Sequence, residues 1–283
     1  LADSPLPDVL TLQRIGENRF SAPHPADDPE GRNVVFSGQL LAQMIMAGDA
    51  CFEGALEVKS IQAIFSRAGT YEHPMELRGE TTHAGRTFGS STITAFQGDR
   101  LLSRGMLLMN SDEPDLVRHG PTAPQVTQPN ALAPDAVSLG FPGSETRTLP
   151  DQDAVGLDGT PEKSFWLRCP GGGASTAANQ AMLAWSQPGE LIGLALRPHD
   201  DEVSIEDAHV TLSTGVIAHT IHFQERFDIA DWLLIQVGAT AIGRGRVYGE
   251  GRAFDRAGNL VSTFSQDSMV KSAPQSLDPK RSL

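Results

Sequence analysis

The chain has 283 residues and a formal net charge of −13, an acidic balance that argues against a nucleic-acid surface and against binding to anionic membranes. Its 39% hydrophobic content supports sizeable cores, its 28 Gly and 19 Pro imply many turns, and its length admits two domains. Cys51 and Cys169 form neither a disulfide framework nor a metal-ligand spacing, so no metal site is expected. No apolar run reaches the ~18 residues that a membrane-spanning helix needs. LADSPLPDVL at 1–10 does not read as a secretory leader, and a soluble cytoplasmic protein is the expectation.

In chain order, VLTLQRI (9–15) is a short helix or strand, and SAPHPADDPEGR (21–32) is loop. From Asn33 to Cys51 the sequence reads NVVFSGQLLAQMIMAGDAC. Val34, Val35 and Phe36 are apolar and extended, Ser37 is placed to cap a helix, and Leu40, Leu41, Met44, Ile45 and Met46 then recur at helical spacing. Gly38, Ala42, Ala47, Gly48 and Ala50 permit close packing on nearly every side, so the helix is expected to be wrapped by a sheet. Strand-like runs follow at Val58–Ser66, Met75–Thr82, Thr87–Phe96 and Leu101–Met109, with Gly98-Asp99 as a tight hairpin turn. One helix and four antiparallel strands make a first unit.

Ser111–Pro161 holds eight prolines and shows no sustained period, so it reads as a long connection draped over the surface. Beyond it Lys163–Arg168 is a strand and Ala174–Trp185 a second small-residue helix. Runs then follow at Leu191–Leu196, His209–Thr214, Thr220–Glu225, Trp232–Ile242, Arg246–Asp255 and Leu260–Met269. AGRTFGSSTITAFQGDRLLS (84–103) lines up with IGRGRVYGEGRAFDRAGNLVS (242–262): Arg86 falls on Arg244 and Phe96 on Phe254, each 158 residues later. Phe65 meets Phe223 at the same offset, and one extra hairpin residue brings Ser103 to Ser262. The repeat is long, so it marks a duplicated domain: residues 1–110 and 162–283 as two units, 111–161 as the linker. Each unit leaves a sheet edge or face exposed that its copy can cover, which predicts an α+β pseudo-dimer within one chain.

The segments VVFSGQLLAQ (34–43), SIQAIFSRAG (60–69), GETTHAGRTF (79–88), LALRPHD (194–200), HTIHFQERFDIADWLL (219–234) and LVSTFSQDSM (260–269) resemble the type II acyl-CoA thioesterases, a double-hotdog family. The resemblance runs from about Thr11 to Met269, and its most specific piece is the spacing of Phe223, Phe227 and Trp232–Leu234. It implies hydrolysis of fatty acyl-CoA to acid and coenzyme A by direct attack of water, with coenzyme A carried by the substrate and no separate cofactor. It also implies association into a homo-oligomer. The family orients water and carbonyl with an Asp, a Thr or Ser, and a Gln. In this sequence those positions fall on Pro188, Val216 and Ser265, so all three are substituted.

The residues available to replace them are Ser265 and Gln266 on the last strand, Glu190 just past Pro188, and His219, which opens the best-matched strand. Ser265 and Gln266 point to opposite faces of a strand unless a bulge intervenes, and so do His219 and His222. Asp200, Asp201, Glu202, Glu206 and Asp207 are most simply a solvated acidic loop. In helix-in-sheet thioesterases the start of the central helix offers free N–H groups to the thioester oxygen, the role expected for Gly38 and Gln39; packing is their plainer use. Arg67 and Arg86 head a scattered set of arginines that suits the phosphates of coenzyme A. In the second helix Asn179 is a further polar group. Three functions compete: an acyl-CoA hydrolase with a rearranged site, an acyl-thioester binding protein without hydrolase activity, and a hydratase, which normally pairs a histidine with a carboxylate.

Overall fold

The computed structural model describes residues 7–25, 33–136, 140–150, 159–199, 201, 203 and 211–273. Among these residues twelve strands form one antiparallel sheet: β1 Gln13–Gly16, β2 Arg19–Ala22, β3 Glu57–Phe65, β4 Met75–Ala84, β5 Phe88–Gln97, β6 Arg100–Asn110, β7 Glu145–Thr148, β8 Glu162–Arg168, β9 Leu212–Phe223, β10 Leu233–Gly243, β11 Arg246–Phe254 and β12 Leu260–Ser272. The spatial order is β1-β2-β4-β5-β6-β3-β9-β12-β11-β10-β8-β7, so the two halves join edge to edge where β3 pairs with β9. Helices α1 Ser37–Cys51 and α2 Thr176–Ser186 lie together on one face, with the short α3 Glu190–Leu196 after them.

Period-two patterning explains the strands. In β6, Ser103, Gly105, Leu107 and Met109 are buried while Arg104, Met106 and Leu108 are exposed. The helix α1 is buried from Gly38 to Ile45 without interruption, a run that holds no charged residue. The internal repeat is written into the hydrogen-bond register. Phe65 faces Ser103 as Phe223 faces Ser262, and Ala95 faces Ser103 as Ala253 faces Ser262. In both copies the register then slips at the same place, leaving Leu102 and Val261 as equivalent bulged residues, each 0% exposed. Gln62 pairs with Thr220, 158 residues later, so the pseudo-two-fold axis passes through that pair.

Three expectations are corrected. Leu191–Leu196 belongs to a helix, because Leu191, Leu194 and Ala195 are buried at the 3–4 spacing of a helix face. The runs at His209–Thr214 and Thr220–Glu225 are served by one long strand, β9, with residues 209 and 210 outside the described residues. The 111–161 connection is not free of strands: β7 pairs with β8 at the sheet edge.

The connection does drape. Ala123, Val126 and Leu132 pack on Leu149, Trp166, Trp232, Leu234 and Phe254, which form a second apolar cluster. The Trp166 indole N–H donates to the Thr127 carbonyl at 2.9 Å. Trp166→Phe is therefore expected to lower stability by about 1 kcal/mol and to speed proteolysis within 111–136. An unchanged nicking rate would show that this contact does not hold the segment down.

Candidate functional site

A cleft of about 750 Å³ opens where the start of α1 meets the loop after β3, the α2–α3 junction and the first half of β9. Val34–Phe36 enter it in extended backbone, and α1 begins at Ser37 with Phe36 as the N-cap. Ser37 is thus inside the helix and does not cap it; no side chain does. The first-turn N–H groups of Ser37, Gly38 and Gln39 have no intrahelical acceptor and sit at the positive end of the helix dipole.

Gly38 is there for packing. A Cβ on it would lie 2.3 Å from the Trp185 carbonyl oxygen and 2.4 Å from the Phe36 ring. Gln39 is 0% exposed, and its amide nitrogen turns to the Pro23 carbonyl at 3.3 Å and to His24 Nδ1 at 3.2 Å. The Gln39 side chain turns away, and neither Gly38 nor Gln39 is among the residues lining the cleft; Ser37 is the first-turn residue that is.

The walls are largely apolar: Phe36, Leu40, Val216, Ile217, Ile192 and Met269. Pro188 and Val216, the residues on the family's Asp and Thr positions, both line it. Among the described residues no carboxylate lines this cleft, and Arg67 is its charged member. The Arg67 guanidinium donates to the Leu101 carbonyl at 3.1 Å. Arg86 does not join it. Arg86 follows the Ala84 end of β4, whereas Arg67 lies at the Met75 end, and a ten-residue strand spans about 33 Å.

Behind the cleft wall lies a buried polar chain. His219, 0% exposed, faces inward with Nδ1 3.0 Å from Gln266 Oε1 and Nε2 3.3 Å from Gln187 Oε1. Gln266 Nε2 donates to the Pro188 carbonyl at 3.2 Å and to Ser268 Oγ at 2.9 Å. Since a carbonyl can only accept, the Gln266 amide is oriented, and its Oε1 must accept from His219 Nδ1–H. His219 Nε2 is then the acceptor in the neutral ring. A half-turn of the Gln187 amide gives it a donor, the same amide nitrogen that otherwise lacks a partner among the described residues. Burial pushes His219 down to about 4, with the Gln266 hydrogen bond opposing, so the ring is neutral near pH 7. Enclosed and doubly bonded, it is a positioning residue that ties β9 and β12 to the α2–α3 junction.

The expected site residues therefore separate. Gln266 and His219 come together. Ser265 does not: it points to the outer face, in a hollow with Tyr248, Glu250 and His222, because successive strand residues alternate. The register slip between β9 and β12 lies at Asp267–Ser268, beyond Ser265, and leaves that alternation intact. Glu190 is also elsewhere, its carboxylate held 2.8 Å from Lys163 Nζ. Asn179 is fully engaged, accepting from Gly173 and Ile229 N–H and donating to the Ser175 carbonyl. Among the described residues His219 has no carboxylate partner, so the pair a hydratase needs is not assembled around it. Of the acidic loop, Asp201 is exposed, while Asp200, Glu202, Glu206 and Asp207 lie outside the described residues. Gln187 was not anticipated; a polar residue closing an apolar helix just before Pro188 was the available signal.

Residues 24–109 match the acyl-CoA thioesterase N-terminal domain, and residues 118–270 match the acyl-CoA thioesterase C-terminal domain. The chain belongs to the acyl-CoA thioesterase family. Acyl-coenzyme A thioesterase 8 of Rattus norvegicus is 22% identical over 298 residues, covering 96% of this chain and 90% of that protein. Acyl-CoA thioesterase 2 of Haemophilus influenzae is 24% identical over 286 residues, covering 93% and 96%. The crystal structure of acyl-CoA thioesterase II TesB2 from Mycobacterium marinum superposes with a TM-score of 0.80 at 19% identity, covering 95% of this chain and 99% of that one. A conserved protein with a hot dog fold from Alicyclobacillus acidocaldarius gives 0.71 at 16% identity, covering 94% and 97%. The α+β double-hotdog architecture expected from the sequence is the one found.

Proposed function

We propose that this thioesterase-family protein hydrolyses acyl-CoA to free acid and coenzyme A by attack of water. The reading rests chiefly on the match of both halves to the family's two domains. An apolar cleft at the open N–H groups of the α1 start suits an acyl thioester, with the carbonyl oxygen at the helix terminus and the chain along Phe36, Leu40, Ile217 and Met269. One observation favours the second reading, acyl-CoA binding without cleavage: the described walls of this cleft carry no carboxylate to activate water. Thiol release measured over short to long acyl-CoAs separates the two. Turnover above background is expected, with Glu190→Gln within about twofold of the unmodified protein because Glu190 only pairs with Lys163. Tight acyl-CoA binding without thiol release would establish the binding reading.

The same proposal includes two hotdog units at 1–110 and 162–283 joined by 111–161, no cofactor beyond the coenzyme A of the substrate, and cytoplasmic residence. It also includes a homo-oligomer, which light scattering on the purified protein would test. Among the described residues no helix is long and apolar enough to cross a membrane.

A further inference from the structure

The duplication gives the molecule a second copy of the cleft, and the two copies have diverged chemically. A cavity of about 490 Å³ is lined by Glu57, Val58, Lys59, Asn110 and residues 223–226. The first cleft is lined by Gly215, Val216, Ile217, Met269 and residues 65–68. At the offset of 158 set by Phe65 and Phe223, and of 159 after the extra hairpin residue, these are equivalent positions one by one. Of α2 the second cavity is lined by Gln180, one turn into the helix, where the first is lined by Val34–Ser37 and Leu40 at the start of α1. Where the first is apolar, the second places Glu57 on Gly215, Lys59 on Ile217 and Asn110 on Met269.

Glu57, Gln180 and Arg226 line it, and Thr176 at the start of α2 bonds to Glu57. The Glu57 carboxylate is partly open to solvent, with its side chain 31% exposed, and Thr176 Oγ donates to its Oε1 at 3.2 Å. Arg226 Nε holds the same carboxylate at 2.8 and 3.1 Å, which fixes its orientation and leaves acceptor capacity on Oε2. Gln180, 4% exposed and part of the lining, donates its Nε2 to the Val58 carbonyl at 2.9 Å, while its Oε1 has no partner among the described residues. A buried amide oxygen left unpaired costs about 1–3 kcal/mol, so it calls for a donor from a ligand or water. Ser175 caps Ala178 N–H, and the first-turn N–H groups of Thr176 and Ala177 have no intrahelical acceptor.

We propose that the second cleft is the hydrolytic site, with Glu57 as the base that activates water, and Thr176 and Gln180 orienting it. The proposal rests on the hydrolase reading and supplies the carboxylate that the first cleft lacks. Glu57 takes a proton from water as the water oxygen bonds to the thioester carbon. The carbonyl electron pair moves to its oxygen, which the α2 start stabilises. On collapse the C–S bond breaks, and the proton passes from Glu57 to the leaving sulfur, giving acid and free thiol. Asp49, near the end of α1 as Pro188 is near the end of α2, is pushed up by burial and then by the negative charge of Glu57, so a second carboxyl lies within its field.

The test uses the full chain and compares thiol release by E57Q, T176V and Q180L with binding of a non-hydrolysable S-alkyl thioether of coenzyme A. E57Q is expected to lose at least 100-fold in kcat, and T176V and Q180L about tenfold, with thioether affinity within threefold. E57Q turning over within threefold of the unmodified protein would overturn the placement and leave the hydrolase reading standing. If E57Q does not fold, unchanged kcat in T176V and Q180L overturns the placement instead. No turnover by the unmodified protein on any chain length would overturn the hydrolase reading and this placement with it.

Discussion

Gly38→Ala is expected to destabilise the protein by about 2 kcal/mol and lower its melting temperature by roughly 5 °C. Two effects compete. Alanine inside a helix gains up to about 1 kcal/mol over glycine through reduced freedom of the unfolded chain. Against it, the new methyl would sit 2.3 Å from the Trp185 carbonyl oxygen, a backbone atom that cannot rotate away. Restoring ordinary contact requires α1 and α2 to part by about 1 Å along their shared length, and overpacking of that kind costs about 1–3 kcal/mol. Gly48→Ala is the comparison. Its methyl would meet Leu107 Cδ2 at 2.4 Å, the end of a flexible side chain, and should cost clearly less. Chemical denaturation of both variants decides it; equal stabilities would mean that the helices at Gly38 separate as easily as Leu107 rotates away from Gly48.

Between pH 6.5 and 4 the folded state is expected to lose about 3 kcal/mol through His219 alone. The imidazole titrates near 6.5 in the unfolded chain and at about 4 in the folded one, because burial penalises its charged form. In that window the unfolded chain binds the proton that the folded chain refuses, so the contribution is whole above 6.5 and gone below 4. The groups packed around the ring, Gln266, Gln187 and Phe264, are uncharged and cannot offset it. Glu76 acts lower. Hydrogen bonds from Arg19 and then Arg78 hold it at about 2, so its contribution is present above 4.5 and lost as pH falls towards 2. Urea unfolding at pH 7 and pH 4 should show a large loss in the native protein and a smaller one, by about 3 kcal/mol, in His219→Gln. Equal losses in the two would mean that the ring is hydrated or already charged.

The sequence carried the architecture because its signals are local or periodic. Alternation in β6 and the charge-free run of α1 follow from which face each residue must bury, and Phe65–Phe223 and Ser103–Ser262 exposed the duplication. Leu191–Leu196 is ambiguous in sequence because five apolar residues and a glycine fit a strand or a buried helix equally well; its period shows only against the sheet it packs on. The site was far less legible. Gln266 and His219 were both singled out, but their meeting depends on the β9–β12 register, and Gln187 joins them only because α2 ends beside that pair. Alternation already set Ser265 against Gln266, but which of them faces inward is fixed only by the fold, and so is the Lys163 partner of Glu190. Glu57, Thr176 and Gln180 are 119 to 123 residues apart as Glu57–Thr176 and Glu57–Gln180 and share no motif. By itself the sequence determined the family, the duplicated helix-in-sheet plan and the apolar lining of the helices, since burial patterns record them residue by residue. Which of the two clefts holds a carboxylate was decided by the tertiary structure, because the pseudo-two-fold axis sets each helix start against strands of both halves.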